Sequence, residues 1–355
     1  MYITRRLFVA ALAAMAIPAL ALAQAPAKPR VKILATGGTI AGAQPKPGEV
    51  GYKAGAYDVD VLIKAVPGLA DIAQVTGEQI ASIGSQDMND AVWIKLGRRV
   101  NEVLANPEVD GVVITHGTDT MEETGYFLNL VTRSEKPVVL VGSMRPATAT
   151  SPDGPMNLYN AVATAISPGA RGRGVLVVMN DSIHYARETT KTNTTSLQTF
   201  SSPNRGLAGF VLFGKTRWFS KPSWKHTAGS QFAGVIPDAL PRVDIVYAHA
   251  NVGPEFVNAA LAAGAKGIVL AGVGDGNGTQ ALIDALAAAV KKGAIVVRSS
   301  RTNSGAVARN VEVDDDKLGF VAAQELNPQK ARVLLQLALL KSKDAKAVQA
   351  IFDQY

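Results

Sequence analysis

The chain has 355 residues, of which 47% are hydrophobic and 18% are charged. This composition supplies enough apolar side chains for globular cores, and the length favours two domains. The chain has no cysteine, which excludes thiol nucleophiles, thiolate metal sites and disulfides. Its formal net charge of +7 comes without clusters of basic and aromatic residues, so nucleic acid is not an expected partner.

The first 23 residues have the pattern of an export signal. Two arginines precede an apolar stretch at residues 7–22, and residues 21–23 fit the small-x-small cleavage rule. The stretch is shorter than the ~20 apolar residues of a spanning helix, which disfavours a membrane anchor. Residues 4–8 also resemble a twin-arginine signal, so the export route stays open. We expect a periplasmic protein, cleaved near Ala23 and free of the membrane in its mature form.

Apolar, β-branched runs alternate with helical patterns in the first part of the mature chain. Such runs predict strands that are covered on both faces, as in parallel sheets. The alternation therefore predicts an α/β fold with a doubly wound sheet. Thr120 stands three residues before Glu123, which is the spacing of a capping box at a helix start. The predicted strands are 31–35, 111–115, 137–141 and 174–179, and the predicted helices are 89–104, 121–131 and 156–166.

A second α/β pattern follows a less regular stretch with a predicted hairpin at 210–219. Its predicted strands are 243–247, 267–271 and 294–298, and its predicted helices are 254–263, 279–291, 328–341 and 345–352. We therefore predict a larger N-terminal domain with a mainly parallel sheet and a smaller C-terminal α/β domain. The predicted bounds are 28–219 for the first domain, 220–241 for the linker and 242–355 for the second domain.

The loops after the predicted strands are the expected place for chemistry, because open parallel α/β sheets bind ligands outside the carboxyl ends of their strands. The first loop places two glycines directly before Thr39, and glycine lets the backbone turn sharply close to a ligand. The second loop carries Thr118 and Asp119 ahead of a helix N-terminus, which favours anionic groups. A later threonine-rich run contains Lys191, which accepts a proton if it is desolvated or faces another cation.

Several common site types are absent from the sequence. Gly37, Gly38 and Gly42 do not match the dinucleotide-binding G-x-G-x-x-G pattern, and no G-x-S-x-G nucleophile elbow occurs. The four histidines show no metal-ligand spacing, and we interpret His116 as structural. The sequence therefore predicts neither a cofactor nor a metal. The glycine-rich run 272–278 is interpreted as a tight strand-to-helix turn.

Two of these loops together resemble one enzyme family. The run 36–40, Thr-Gly-Gly-Thr-Ile, and the run 116–120, His-Gly-Thr-Asp-Thr, are similar to those of bacterial L-asparaginases. The resemblance is strongest to the exported type II enzymes and the related glutaminase-asparaginases, and it extends from about Val31 to Tyr355. Further matching runs are 84–90, 142–146, 191–195, 298–301 and 327–332.

This resemblance implies that Thr39 attacks the side-chain amide carbon of L-asparagine, releases ammonia and forms an acyl-enzyme. Tyr52, on a mobile lid at residues 43–58, would help to take up the proton, and Tyr57 is the alternative lid tyrosine. A threonine hydroxyl needs such a base or relay because it is a weak nucleophile. Amide hydrolysis also needs donors for the oxyanion, which backbone N–H groups at Thr39 could supply.

The resemblance also implies that Thr118, Asp119 and Lys191 form a hydroxyl–carboxylate–lysine group that activates the nucleophile or the hydrolytic water. Which group deprotonates Thr39 stays open.

Substrate binding is implied for residues of both predicted domains. Ser85 and Gln86 would bind the α-carboxylate and α-amino ends of the substrate, and Asp119 would pair with the α-ammonium. Thr118 also lines this site, and Ser143 would act through its backbone carbonyl.

Asn277 and Glu312 would come from the C-terminal domain of a neighbouring subunit. The implied assembly is a homotetramer made of two intimate dimers with shared active sites. Asp275 stands where an asparagine is common in the family, and we expect this difference to alter the implied contact between subunits.

Three alternatives remain beside an asparaginase. The first is a dual glutaminase-asparaginase that also takes L-glutamine, although Gln86 resembles the asparaginase-preferring members. The second is a periplasmic amino-acid-binding protein, which would need no hydroxyl–lysine array. The third, a nucleotide-dependent dehydrogenase, lacks its dinucleotide fingerprint.

Overall fold

The computed structural model describes residues 27–46 and 49–355. The predicted signal peptide, residues 1–23, lies outside the described residues. Across the residues that are described, no helix is both long enough and apolar enough to cross a membrane.

The secondary structure of the described residues alternates between strands and helices along most of the chain. The strands are β1 (Arg30–Gly37), β2 (Gln74–Ile83), β3 (Gly111–Thr115), β4 (Val138–Val141), β5 (Val175–Met179), β6 (Ser182–Tyr185), β7 (Thr190–Lys191), β8 (Phe200–Ser201), β9 (Gly209–Leu212), β10 (Lys215–Trp218), β11 (Val243–Tyr247), β12 (Gly267–Gly272), β13 (Ile295–Ser300) and β14 (Phe320–Ala322). The helices are α1 (Val59–Lys64), α2 (Leu69–Ile72), α3 (Asp90–Ala105), α4 (Met121–Val131), α5 (Gly154–Ala165), α6 (Glu255–Ala262), α7 (Gln280–Lys291), α8 (Asp315–Leu318), α9 (Pro328–Ala338) and α10 (Ala345–Phe352).

The larger sheet has eight strands in the order β10-β9-β6-β5-β4-β3-β1-β2. Strands β2, β1, β3, β4 and β5 are neighbours in this order and pair in parallel. Strands β6, β9 and β10 extend the sheet with antiparallel pairing. Every residue of β3, β4 and β5 is buried, because helices cover both faces. Apolar residues of α3 and α4 pack on one face, and those of α1, α2 and α5 pack on the other. This confirms the predicted doubly wound sheet.

The parallel part of this sheet reverses its direction of growth at β1. From β1 the chain first adds β2 on one side and then returns to add β3 on the other side. The loops that follow β1 and β3 therefore leave the sheet in opposite directions and open a crevice between them. In doubly wound sheets this topological switch point is the usual place for a ligand.

The smaller sheet has four parallel strands in the order β11-β12-β13-β14. Helices α6 and α7 cover one of its faces, and α9 and α10 cover the other. Helix α9 also packs against α4 of the larger unit, so one hydrophobic cluster is continuous across both sheets. Residues 220–241 contain no α-helix or strand, only a single 3₁₀ turn at Thr227–Gly229. The exact domain bounds stay a prediction.

All predicted strands and helices have observed counterparts whose ends agree within three residues, and the hairpin is formed by β9 and β10. Strands β2, β6, β7, β8 and β14 and helices α1, α2 and α8 were not predicted. β2 is an edge strand in which only Ile80 is buried, so its sequence lacks a continuous apolar run. β6 and β14 have only four and three residues, and β7 and β8 have two each, which is too short for a reliable pattern.

The predicted capping box at the start of α4 is wrong. Thr120 occupies the N-cap position, but its side chain makes no capping hydrogen bond. Its hydroxyl instead donates to the carbonyl oxygen of Ser85 at 2.7 Å. A contact between two post-strand loops has thus replaced the local cap.

Candidate active site

The loops after β1 and β3 meet through their glycines. Gly37 and Gly38 have φ angles of 106° and 80°, which are left-handed values that favour glycine. A Cβ atom on Gly38 would lie 2.3 Å from the backbone nitrogen of Gly117, so no larger residue fits there. Each of these contacting glycines directly precedes a threonine, Thr39 in one loop and Thr118 in the other. The approach therefore brings the two hydroxyl-bearing residues to the same crevice.

The loop after β2 joins the other two. The Gly38 N–H donates to the carbonyl oxygen of Ile83 at 2.8 Å. Ser85, only 4% exposed, accepts a hydrogen bond on its Oγ from the Asp119 N–H at 3.1 Å. Gln86, in contrast, is exposed at the surface of this loop. Of the two predicted substrate-binding residues of this loop, Ser85 therefore contacts Asp119 directly, and Gln86 is the residue that follows Ser85 in the chain.

Thr39 lies in a short 3₁₀ turn, Thr39–Ala41, and is 8% exposed. Its Oγ1 atom lies 2.8 Å from the hydroxyl oxygen of Tyr52. The Tyr52 ring packs over Gly42, where a Cβ atom would lie 2.9 Å from the ring. Ala43 and Lys53 hold the intervening segment together with two antiparallel backbone hydrogen bonds of 3.0 and 2.9 Å.

Tyr57, the alternative lid tyrosine, has a different environment. Its backbone N–H donates to the Ala41 carbonyl at 2.9 Å, and its side chain packs against the hydrophobic cluster under the sheet. The hydrogen bond to the Thr39 hydroxyl thus belongs to Tyr52, which is 44% exposed.

Lys191 lies on β7, and its side chain contacts the loop after β3. Its Nζ donates to Thr118 Oγ1 at 2.9 Å and to Asp119 Oδ1 at 2.7 Å. The lysine side chain is 17% exposed and that of Asp119 is 55% exposed. The predicted hydroxyl–carboxylate–lysine group is therefore assembled, with its carboxylate towards solvent and its lysine largely covered.

His116 forms a buried chain of hydrogen bonds beneath this group. Trp93 Nε1 donates to Thr124 Oγ1 at 2.8 Å. The Thr124 hydroxyl can therefore donate its own proton to His116 Nε2, which lies 2.9 Å away. His116 Nδ1 then carries its own proton and donates to the Gly117 carbonyl at 2.6 Å. Complete burial lowers the pKa of His116 to about 4, so the ring is neutral and fixes the peptide next to Thr118.

Ser143 follows β4 and is fully buried. Its hydroxyl donates to the Arg145 carbonyl at 2.7 Å, so the side chain stays within its own loop. The neighbouring Gly142 packs on the loop after β3, because a Cβ atom there would lie 2.7 Å from the His116 carbonyl oxygen.

Asn277 and Glu312 lie together in the smaller unit, where Asn277 Nδ2 donates to the Glu312 carboxylate. Within the described part of the chain, neither side chain is hydrogen-bonded to Thr39 or to the Lys191 group. Asn277 Oδ1 is buried and has no hydrogen-bond partner among the described residues. Asp275 accepts from the Ala308 N–H at 2.7 Å and so stabilises the adjacent loop.

Glu122 was not singled out from the sequence, although it contacts the strand that carries Lys191. It is 4% exposed and lies in the first turn of α4, where acidic residues are common for reasons of helix stability alone. The sequence thus held no signal that distinguished it from an ordinary helix-start acid.

No group of three or more His, Cys, Asp or Glu side chains with the geometry to hold a metal occurs among residues 27–46 and 49–355. A cavity of about 290 Å³ is lined by Trp224, Arg173 and Arg187, among others, and contains none of the predicted site residues. The side chains that the loops bring together at the switch point carry hydroxyl, carboxylate and ammonium groups.

Two protein-family models cover most of the chain. "Asparaginase, N-terminal" matches residues 30–224, and "Glutaminase/Asparaginase C-terminal domain" matches residues 242–352.

Individual proteins are similar over nearly their whole length. "Probable L-asparaginase periplasmic" of Haemophilus influenzae is 53% identical, over 94% of this chain and 95% of the relative. "Glutaminase-asparaginase" of Pseudomonas fluorescens is 48% identical, over 92% of this chain and 90% of the relative. The crystal structure of "Probable Cytoplasmic L-asparaginase" from Campylobacter jejuni superposes with a TM-score of 0.89 at 49% identity, covering 92% of this chain and all of the other.

The buried His116 makes stability depend on pH. In the unfolded chain the ring takes up a proton near its ordinary pKa of 6.5, but in the folded protein only near pKa 4. Its contribution is therefore present above pH 6.5 and is lost as the pH falls towards 4. Between pH 7.5 and 5.0 we expect a loss of about 2 kcal/mol from this group.

Urea unfolding of the wild type and of His116→Gln at both pH values measures this loss. The variant should show a smaller pH-dependent change, by roughly that amount. His184, whose pKa burial also lowers to about 4, contributes equally to both proteins. The same pH dependence in wild type and variant would contradict the assignment of a neutral, buried His116.

Proposed function

Because the chain belongs to the asparaginase family, we propose that it hydrolyses L-asparagine to L-aspartate and ammonia with Thr39 as the nucleophile. The observation that carries this proposal is the pairing of the Thr39 hydroxyl with the Tyr52 hydroxyl at 2.8 Å, at the switch point of the large sheet. A hydroxyl nucleophile needs a proton-accepting partner within this distance.

The proposed reaction has two halves. Thr39 Oγ1 attacks the side-chain amide carbon, its proton passes through Tyr52 to the departing nitrogen, and ammonia leaves. The remaining aspartyl ester on Thr39 is then attacked by water, whose proton returns to the threonine oxygen. Backbone N–H groups of the glycine-rich turn are the proposed donors to the oxyanion in both halves.

Lys191, Thr118 and Asp119 are proposed as the second catalytic group. Lys191 donates to both partners, so the Thr118 oxygen is polarised and its proton is free to point into the crevice. The largely covered position of the lysine strengthens these contacts, since electrostatic interactions grow as water is excluded. This group would align the substrate amide or the hydrolytic water.

A zwitterionic substrate needs partners of both charges. Asp119 is 55% exposed and is proposed to pair with the α-ammonium group. Ser85 and the exposed Gln86 follow β2 on the adjacent loop and are proposed to bind the α-carboxylate and α-amino ends of the substrate. Thr118 and the Ser143 backbone would complete the pocket around the side-chain amide.

The proposed enzyme is a homotetramer of two intimate dimers. Asn277 and Glu312 would complete the substrate site of a neighbouring subunit. Within the described residues, neither side chain is hydrogen-bonded to the Thr39 or Lys191 group of its own subunit, which supports a role in the site of another subunit.

L-Glutamine is the second candidate substrate. The 48% identity to a protein named glutaminase-asparaginase favours it, whereas Gln86 favours asparagine by its resemblance. We also propose export to the periplasm through the signal at residues 1–23. One relative is named periplasmic, while a similar solved structure is named cytoplasmic.

Thr39→Ala should lower the turnover of L-asparagine by roughly 10³-fold or more while the protein still folds, because a nucleophile has been removed. Ammonia release by the purified protein is the measurement, with L-asparagine and L-glutamine as parallel substrates. Thr39→Ser, which keeps a hydroxyl, is the matched control and should retain more activity. Turnover near the wild-type level in the alanine variant would refute the nucleophile, and equal kcat/KM for the two amides would refute the asparagine preference.

Tyr52→Phe should reduce kcat by about 10²-fold, the size expected for a group that moves a proton in the transition state. The variant removes only the oxygen that lies 2.8 Å from Thr39. Tyr57→Phe is the control, and its kcat should stay within about threefold of the wild-type value. A tenfold loss of kcat would correspond to about 1.4 kcal/mol of transition-state stabilisation, and the control should lose well below that amount. The reverse order of the two effects would make Tyr57 the partner of Thr39.

A further inference from the structure

Glu122 contacts the strand that carries Lys191. It is in the first turn of α4, directly after the loop that carries Thr118 and Asp119, and is 4% exposed. We propose that Glu122 is the positioning residue that sets the reach of Lys191 to Thr118. This inference rests on the proposed function of the Lys191 group.

The first contact of Glu122 is with strand β7. Its Oε1 atom accepts from the Thr190 hydroxyl at 3.0 Å and lies 3.4 Å from the donating backbone nitrogen of Lys191. β7 has only two residues and pairs only with the equally short β8 in the described structure. Strand pairing therefore does little to fix the position of Lys191, and the carboxylate supplies an anchor.

The second contact of Glu122 is with the start of α9 in the smaller unit. Its Oε2 atom accepts from Asn327 Nδ2 at 2.7 Å and lies 3.2 Å from Lys330 Nζ. Lys330 is 3% exposed and also donates to the Thr189 carbonyl, one residue before β7. The ion pair thus holds three elements together: α4, the β7 segment and α9.

Through these contacts, Glu122 is linked both to Lys191 and to the two residues, Thr118 and Asp119, that the Lys191 ammonium contacts. Thr118 and Asp119 precede the helix that carries Glu122, and Lys191 lies on the strand that Glu122 holds. The bond from Lys191 Nζ to Thr118 Oγ1 is 2.9 Å long, and a shift of β7 by about 1 Å would take it out of hydrogen-bonding range. Misplacement on that scale is enough to reduce catalysis by orders of magnitude.

The competing explanation is that the Glu122–Lys330 pair serves stability alone. Replacing both members of a buried ion pair by apolar residues of similar volume is often neutral for stability, whereas removal of one member leaves an uncompensated charge. The double variant Glu122→Met with Lys330→Met therefore separates the two explanations. It removes both charges, the acceptor for Thr190, Lys191 and Asn327 and the donor to the Thr189 carbonyl, but leaves every residue of the proposed catalytic group in place.

Steady-state kinetics on L-asparagine, with the melting temperature measured in parallel, tests the proposal. We expect the double variant to melt close to the wild type but to lose about tenfold or more in kcat, with KM within about threefold. Thr190→Val, which removes the hydroxyl that donates to Glu122 and accepts from Asn327, should also lower kcat without a change of charge. Glu123→Gln is the control and should retain wild-type kcat. Burial raises the pKa of Glu123 to about 7, so a neutral residue there is a mild change.

Wild-type kcat in a double variant that melts like the wild type would overturn the proposal. If the double variant does not fold, Thr190→Val decides alone, and unchanged kcat in that variant would overturn it. A wild-type protein that releases no ammonia from either amide would instead refute the proposed function, so the two failures are distinguishable.

Discussion

Gly38 and Gly117 approach each other so closely that a single Cβ atom on Gly38 would lie 2.3 Å from the Gly117 nitrogen. This contact joins the carboxyl ends of β1 and β3, where the sheet reverses its direction of growth. Because each glycine directly precedes a threonine, the same contact sets where both hydroxyl groups emerge. Gly38 is constrained in two ways, because a side chain has no space there and because its positive φ angle favours glycine.

The rest of the site is arranged around this contact in two layers. Above it, Tyr52 covers the Thr39 hydroxyl at the surface. Below it, the neutral ring of His116 fixes the Gly117 peptide through a buried chain of hydrogen bonds. Lys191 adds a charge from outside the parallel strands, and the carboxylate of Glu122 anchors its strand. The proposed chemistry thus depends on backbone packing for the hydroxyl groups and on a buried ion pair for the lysine.

Much of this arrangement could be predicted from the sequence, because it is local. Continuous apolar runs predicted β3, β4 and β5, whose residues are all buried. The glycines before Thr39 and the run around Thr118 were recognised as loops that follow strands, and the contacts among Thr118, Asp119 and Lys191 agree with the expected group. The roles of these residues stay predictions.

What could not be predicted depends on partners that are distant in the chain. β2 lacks an apolar run because it is an edge strand. Thr120 had the spacing of a local cap, yet its hydroxyl bonds to Ser85 in another loop. Glu122 had the pattern of an ordinary helix-start acid, and its partners Asn327 and Lys330 lie in the other unit. Local patterns predict elements, but they do not show which elements exchange hydrogen bonds.

The central claim is that Thr39 carries the acyl group during turnover. Rapid acid quenching of the enzyme during turnover of L-asparagine, followed by peptide mass spectrometry, tests it most directly. We predict an aspartyl ester on the peptide that contains Thr39, and none on that peptide in Thr39→Ala. An aspartyl adduct on Thr118 instead, or turnover without any adduct on the Thr39 peptide under conditions in which hydrolysis of the ester limits the rate, would contradict the account.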